Sequence, residues 1–332
     1  MPIGRLQPTE IDPSSRLIVE EAERRGIAYE ILAPRAEYFR LRYGDHAVVC
    51  RESLSELTTA VALSRCDDKR TTLRLMREAG LRTPEQILAG SVTANEEFLR
   101  KLGSVVVKPM RGEQGLGISV GVTTPESLHA AVDRAAEVGR PVLLEEFVRG
   151  DDLRVVVIDH EVVAAATRRP PEVTGDGRQT VLALIEQQSQ RSLEATDGTC
   201  SIPIDGETHR LLREAGCALG DVLPAGKTIT VRGTANTHQG ATIRDVTPLL
   251  HPALVHVAQQ AARALDIPVV GLDLIVPALD GPDYWIIEAN GRPGLANHEP
   301  QPTAARFVDL LFPETKGRTV GDPTRPEKQR PA

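Results

Sequence analysis

The chain has 332 residues, enough for two or three lobes, and its 41% hydrophobic and 26% charged residues are ordinary for a folded globular protein. A net charge of −7 excludes a nucleic-acid backbone as the main partner, while leaving room for an anionic small molecule held by a local basic cluster. No apolar run approaches the ~20 residues of a membrane span, and the opening "MPIGRLQPTEIDPSS" lacks an apolar signal core, so the expectation is a cytoplasmic protein without a membrane partner.

In chain order, the spacing predicts a helix over "SRLIVEEAERRGI", a strand at "AYEILAP", a second strand at "HAVVCRES" and helical "LSELTTAVALSR". "DDKRTTLRLMREAGLRTPE" reads as a helix with acidic residues at its start, Gly80 at its end and Pro84 beyond. Strands alternating with helices predict an α/β lobe over 1–86. From 87 to 150 the pattern becomes strand, glycine loop, strand, helix, strand, a smaller lobe ending on "PVLLEEFV". "LRVVVIDHEVVAAATRR" predicts a hairpin turning at Asp159-His160. A less regular stretch over 170–228 precedes the amphipathic helix "PLLHPALVHVAQQAARALDI", then strands "VVGLDLIVP" and "YWIIEANG" and a helix "PTAARFVDLLFP". These define a large lobe over 151–314, and the polar, proline-rich 315–332 predicts a disordered tail. Cys50, Cys66, Cys200 and Cys217 show neither C-x-x-C nor zinc spacing and read as reduced thiols.

Two motifs carry chemistry. "VVVKPMRGEQGLGISVGV" joins two β-branched runs through Gly112, Gly115 and Gly117, which free backbone N–H groups to approach an oxyanion. It matches neither a Walker loop nor a dinucleotide fingerprint, because the loop runs into a strand instead of opening a helix. A flap closing over its ligand remains, against the plainer reading of a glycine-rich turn. Lys108, near the end of the apolar strand, weakens the plainer reading, since a buried ammonium needs a negative partner. In the second motif, "GLDLIV" and "WIIEAN", period-2 alternation puts Asp273 on one face of its strand and Glu288 with Asn290 on one face of theirs. Paired as a hairpin, they converge two carboxylates and an amide oxygen, hard ligands suited to Mg²⁺, unless they are simply a solvated sheet face.

Together with "CDDKRTTLRLMREAGLRTP", "VLLEEFVRGDDLRVVV" and "RGTANTHQGATIRDVT", these motifs resemble the ATP-grasp superfamily of carboxylate–amine ligases, in that family's order over most of Cys66 to Leu295. "RGDDLRVVVIDHEVVAAATRRPPEVTGDGRQTVLALIE" is similar to the ATP-grasp part of cyanophycin synthetases, and "IIEANGRPGLANHEPQPTAARFVDLLFP" is closer to N-acetylglutaminylglutamine synthetases. The resemblance implies an ATP-grasp fold, α/β (α+β), in which two α+β lobes clasp ATP behind an N-terminal α/β lobe. It implies ATP with Mg²⁺, replaceable by Mn²⁺, and amide formation between small carboxylate and amine substrates through an acyl phosphate.

Residue by residue, the resemblance assigns Lys69 and Lys108 to the nucleotide phosphates, with Gly112, Gln114, Gly115 and Gly117 in the flap. Glu145, Glu146, Phe147 and Val148 form the adenine hinge, Asp152 takes the ribose hydroxyls, and Asn236 lies near the phosphates. Asp273, Glu288 and Asn290 hold the metal, while Arg154, Arg232 and Arg292 stabilise the transferring phosphoryl group. Without the resemblance, Lys69 in "DDKR" reads as a solvated charge, and His238 and His298 are merely the histidines nearest the site. N-acetylglutaminylglutamine synthetases usually carry an acetyltransferase section for which 332 residues leave no room, so a separate acetyltransferase joins a homodimer among the expected partners. Dipeptide synthesis is the first expectation. Its rivals are cyanophycin-like peptide extension, an ATP-binding regulatory module and a small-molecule kinase.

Overall fold

The run Leu153-Arg154-Val155-Val156-Val157-Ile158 is too β-branched to favour a helix, and it forms the central strand of the largest sheet. The computed structural model describes residues 11–33, 37–111, 115–195, 200–235 and 239–319. The flap residues Gly112 and Gln114, then Asn236 and His238, and the tail from 320 onward lie outside the described residues.

Helix α1 (Pro13–Arg24) is capped by Asp12, whose carboxylate accepts from the Ser14 and Ser15 amides. Strands β1 (Ala28–Ala33), β2 (Tyr38–Tyr43), β3 (His46–Arg51) and β4 (Leu54–Ser55) follow as an antiparallel meander. The parallel layout that an α/β alternation implies is absent here, because "YFRLRY" inserts β2 between the two strands expected from sequence. Helices α2 (Ala60–Asp67) and α3 (Lys69–Glu78) pack on the largest sheet through Ala62, Cys66, Leu73 and Met76.

The second unit comprises β5 (Gln86–Leu88), α4 (Val92–Leu102), β6 (Val105–Pro109), β7 (Ser119–Val122), α5 (Pro125–Val138) and β8 (Val142–Glu146). Its antiparallel sheet has the order β5-β8-β6-β7. Val105, Val107 and Leu144 on one face meet Phe98, Leu99, Leu128 and Ala131 of the two helices.

The largest sheet, ordered β13-β10-β9-β14-β15, is built from β9 (Asp151–Ile158), β10 (Glu161–Arg169), β13 (Thr242–Asp245), β14 (Val269–Val276) and β15 (Trp285–Asn290). All its neighbours are antiparallel, and β9 turns into β10 at Asp159 and His160, both at positive φ. Between β10 and β13, the two-stranded β11 (Glu172–Thr174) and β12 (Thr228–Thr230) combine with α6 (Val181–Ala195) and α7 (Gly206–Glu214) around a small core of their own. Helix α8 (Pro252–Leu265) precedes β14, and α9 (Thr303–Leu311) follows β15.

Alternation along these strands decides which face holds what. Leu153, Val155, Val157, Leu272 and Leu274 bury one face against α8, α2 and α3. On the other face, Val156, Ile158 and Val269 pack with Phe307 and Val308 of α9 and with α1 and the meander. Further along that second face Arg154, Asp152, Arg168, Asp273 and Glu288 take the place of the apolar residues, with Ile275 and Trp285 at the far end.

Arg292, in the turn after β15, joins this sheet to the meander. Its Nη1 lies 2.9 Å from Glu52 Oε1 and 3.4 Å from Glu37 Oε2. Burial, reinforced by a hydrogen bond with Glu37, raises the Glu52 carboxyl from 4.5 to about 8 against the opposing pull of Arg292.

Two predictions follow from this packing. Phe307 is fully buried where α9 meets the sheet, so Phe307→Ala should destabilise the fold by about 3–5 kcal/mol, read from the shift in a urea unfolding curve. Folded Glu52 keeps a proton that the unfolded chain releases near 4.5, so its contribution to stability falls as pH rises from there to about 8. Glu52→Gln should therefore gain on the wild type progressively across that window, in unfolding curves recorded at several pH values. A difference that does not vary with pH would contradict a neutral Glu52.

Candidate functional site

The register of the largest sheet aligns its polar residues across the strands. Arg154 on β9 stands opposite Asp273 on β14, and Asp273 stands opposite Glu288 on β15. On the other side Ala166 and then Asp245 continue the same row through β10 and β13. One step along, Asp152 faces Arg168, and one step the other way Asn290 faces Gly271. Directly paired residues share a face, so Asp152, Arg154, Arg168, Asp273, Glu288 and Asn290 converge.

Arg154 grips Asp273 with two donors: Nε bonds Oδ1, and Nη2 lies 3.0 Å from Oδ2. Arg168 bridges the two aspartates, with Nη2 3.0 Å from Asp273 Oδ1 and 2.8 Å from Asp152 Oδ1. Burial pushes the Asp273 carboxyl up, but the two guanidinium groups outweigh it and hold the group below the ordinary carboxylate range. Asp152 goes the other way, raised to about 6 by burial and by the Asp273 charge, although Arg168 opposes the shift. His298, in the short turn Leu295–His298, is buried beside this cluster. Burial and the charges of Arg154 and Arg168 lower it to about 4, so the imidazole is neutral at pH 7.

Lys69 is buried with its Nζ 2.9 Å from Glu288 Oε1. The plain reading of a solvated charge therefore fails. Asp68 caps α3 at the Thr71 amide, which fixes the first turn of the helix that carries Lys69. Asn290 Oδ1 accepts from the Arg292 amide at 2.9 Å, while the Arg292 guanidinium points to Glu37 and Glu52.

In the second unit, Lys108 Nζ meets Glu145 Oε1 at 2.7 Å, with both side chains about 97% or more buried. The amides of Glu146 and Phe147 donate to Glu85 and Ser104, while that of Val148 has no backbone partner among the described residues. Gly150 makes the crossing to β9 at φ 157, and a Cβ there would stand 2.5 Å from the Val276 carbonyl oxygen, so only glycine fits. On the flap, a Cβ at Gly115, whose φ is 73, would lie 3.2 Å from Thr234 Oγ1. The flap therefore reaches the stretch after β12. Arg111 at its base pairs with Asp67 and Asp68 between α2 and α3.

Arg232 is not drawn into the sheet cluster by any contact of its own. It is buried, and it bonds Asp205 and Thr208 at the start of α7 and Gln239 after β12. Sequence reasoning also missed Arg168. Counted from the turn at Asp159-His160, Thr167 falls opposite Asp152, and the bulge between Val162 and Ala164 shifts the register by one to bring Arg168 there instead. The buried Cys50 and Cys66 thiols are raised by burial, Cys66 to about 12, which removes either as a thiolate nucleophile.

Among the described residues, no three of histidine, cysteine, aspartate and glutamate form a self-sufficient metal site. Asp273, Glu288 and Asn290 instead offer two carboxylates and an amide oxygen on one face. That donor set suits a hard divalent cation completing its shell with water and phosphate oxygens.

Residues 66–197 match the RimK-like ATP-grasp domain. A cyanophycin synthetase from Nostoc sp. is 33% identical over 325 residues, covering 93% of this chain and 36% of that protein. The glutathione biosynthesis bifunctional protein GshAB of Listeria welshimeri is 29% identical, over 91% of this chain and 41% of its own length. The chain thus spans well under half the length of these relatives. Among solved structures, a bifunctional glutathione synthetase from Pasteurella multocida superposes with a TM-score of 0.62 at 23% identity, over 92% of this chain and 44% of that one. A D-alanine–D-alanine ligase from Bacillus anthracis gives 0.50 at 15% identity, over 78% and 70%. The two sheets and these likenesses agree on the architecture: the chain has an ATP-grasp fold, with residues 66–197 similar to the RimK-like ATP-grasp domain.

Proposed function

We propose that the protein is an ATP-dependent ligase that joins a carboxylate to an amine through an acyl phosphate. The observation that carries this reading is the convergence of Arg154, Arg168, Asp273, Glu288 and Asn290 on one sheet face, with Lys69 buried against Glu288. A phosphoryl transfer asks a protein for positioning and charge more than for a nucleophile, and this face supplies both.

In the first step an oxygen of the substrate carboxylate attacks the γ-phosphorus, the β–γ bridging P–O bond breaks, and ADP leaves. In the second the amine nitrogen attacks the acyl carbon, the C–O bond to phosphate breaks, phosphate leaves with the electron pair, and the amine proton passes to solvent. Lys69 and Lys108 would neutralise phosphate oxygens, Asp152 would take the ribose, and the Val148 amide would meet the base edge. Arg154 and Arg168 would stabilise charge on the transferring group. Asp273, Glu288 and Asn290 would hold Mg²⁺, which when bound neutralises the phosphate charge. The glycine flap would exclude water, which otherwise hydrolyses an acyl phosphate.

The substrates follow from the relatives with less detail. Five cyanophycin synthetases at 30–33% identity are among the similar proteins, which favours addition of an amino acid to a peptide over dipeptide synthesis. The test is phosphate release from Mg²⁺-ATP against amino acids, N-acetyl amino acids and short peptides, with product masses. A product formed with loss of water supports a ligase, whereas a stable phosphorylated product would make the protein a kinase. Glu288→Gln, which keeps the shape and removes the charge, should lower turnover by roughly 10²–10³-fold. Near-normal turnover would move the metal away from this strand pair.

A further inference from the structure

We propose that the turn Glu52-Ser53, between β3 and β4, positions the metal ligand Asn290 by gripping Arg292 and Pro293. This rests on the metal reading above and extends it to residues of the meander.

The chain leaves β15 at Asn290, whose Oδ1 accepts from the Arg292 amide at 2.9 Å. A backbone N–H can only donate, so this bond identifies the amide oxygen and leaves its second lone pair for a cation. The same bond makes Asn290 only as rigid as the turn that follows it. That turn is held from outside, by two consecutive residues of the meander. Ser53 is fully buried, and its Oγ donates to the Pro293 carbonyl oxygen at 2.6 Å. Glu52 Oε1 accepts from Arg292 Nη1 at 2.9 Å, and Glu37 Oε2 lies 3.4 Å from the same nitrogen. Pro293 also rests on β14. A Cβ at Gly271, the residue paired with Asn290, would stand 2.9 Å from the Pro293 Cβ.

The backbone of the meander fits this role. Glu37 and Glu52 both have positive φ, 62 and 49. Glycine or asparagine takes that conformation at lower cost, so glutamate at both places answers to its side chain. Both side chains go to Arg292. Backbone of this kind persists where surrounding contacts over-determine it, which a functional site does. Arg292 therefore commits its guanidinium to the meander and leaves the transferring phosphoryl group to Arg154 and Arg168.

The test is a titration of Mn²⁺ into the full chain with a non-hydrolysable ATP analogue, read from the electron paramagnetic resonance of free Mn²⁺. It needs neither the acid nor the amine substrate. Arg292→Leu removes a positive charge close to the cation, so electrostatics alone predicts tighter Mn²⁺ binding. Positioning predicts the reverse, a loss of roughly tenfold, as for other groups that orient a metal ligand. Glu52→Gly removes the carboxyl while suiting the positive φ, and should weaken Mn²⁺ by a similar factor. Glu52→Gln keeps an oxygen for Arg292 and should bind Mn²⁺ as the wild type does. Unchanged or tighter binding in either Arg292→Leu or Glu52→Gly would overturn the positioning role and leave the metal site standing. So would a Glu52→Gln chain as weak as Glu52→Gly. If Arg292→Leu does not fold, by circular dichroism, the two Glu52 variants decide. A wild-type chain that takes up no Mn²⁺ with the analogue would overturn the metal site and this role with it.

Discussion

Arg154 and Asp273 face each other across two adjacent strands of the largest sheet, whose opposite face is valine, leucine and isoleucine. Such a pair is expensive, because the desolvation of two charges in a low-dielectric interior can exceed their mutual attraction. Here the cost is offset by multiplicity. Asp273 receives both arms of Arg154 and a third bond from Arg168, which in turn reaches Asp152. An apolar replacement of similar volume would pack at least as well, so the pair is better understood through what it does. It keeps a carboxylate ionised in a buried place and keeps two guanidinium groups rigid beside it.

The surrounding architecture follows from that constraint. The five-stranded sheet needs apolar cover on both faces to be stable, yet the end of one face must stay open to solvent and ligand. Antiparallel pairing solves this by confining the polar residues to alternate positions near one end of the strands, while Val156, Ile158 and Val269 continue the same face under α9 and the meander. The same logic explains why Lys69 is buried although it begins a helix. Its helix packs against the other face and edge of the sheet, and its side chain reaches over β15 to Glu288.

Much of this face was legible in the sequence, for a physical reason. "GLDLIV" and "WIIEAN" interrupt apolar alternation with residues that make poor strands, and those interruptions are the residues that converge. The turn at Asp159-His160 was legible because two residues joining β-branched runs leave few other geometries. Helix α4 was missed although Phe98, Leu99 and Leu102 fall at helical spacing, because its first two turns are polar apart from Val92 and Ala94. Strand β2 was missed because its arginines mask the alternation of Phe39 and Leu41. Arg232 illustrates a different limit. A buried arginine needs an anion, and the sequence shows nothing of the fold that brings Asp205 to Arg232.

The second sheet is bound to the rest far more loosely than the strands of the largest sheet are to one another. Arg111 meets Asp67 and Asp68 with about half of the arginine side chain and of Asp67 exposed, and ion pairs in contact with water contribute little. Arg210 touches the Val120 carbonyl at 3.4 Å, and Gly115 approaches Thr234 closely only because it lacks a side chain. By contrast Gly150 threads the chain against the backbone of β14 with no room for a Cβ. A tight crossing at one end and weak polar contacts at the other are the elements of a hinged cover. Among the described residues the apolar packing lies within each core, and polar contacts join the two. The buried Lys108–Glu145 pair resembles Arg154 and Asp273 in one respect: each is charge held in place on a rigid sheet by a partner on the neighbouring strand.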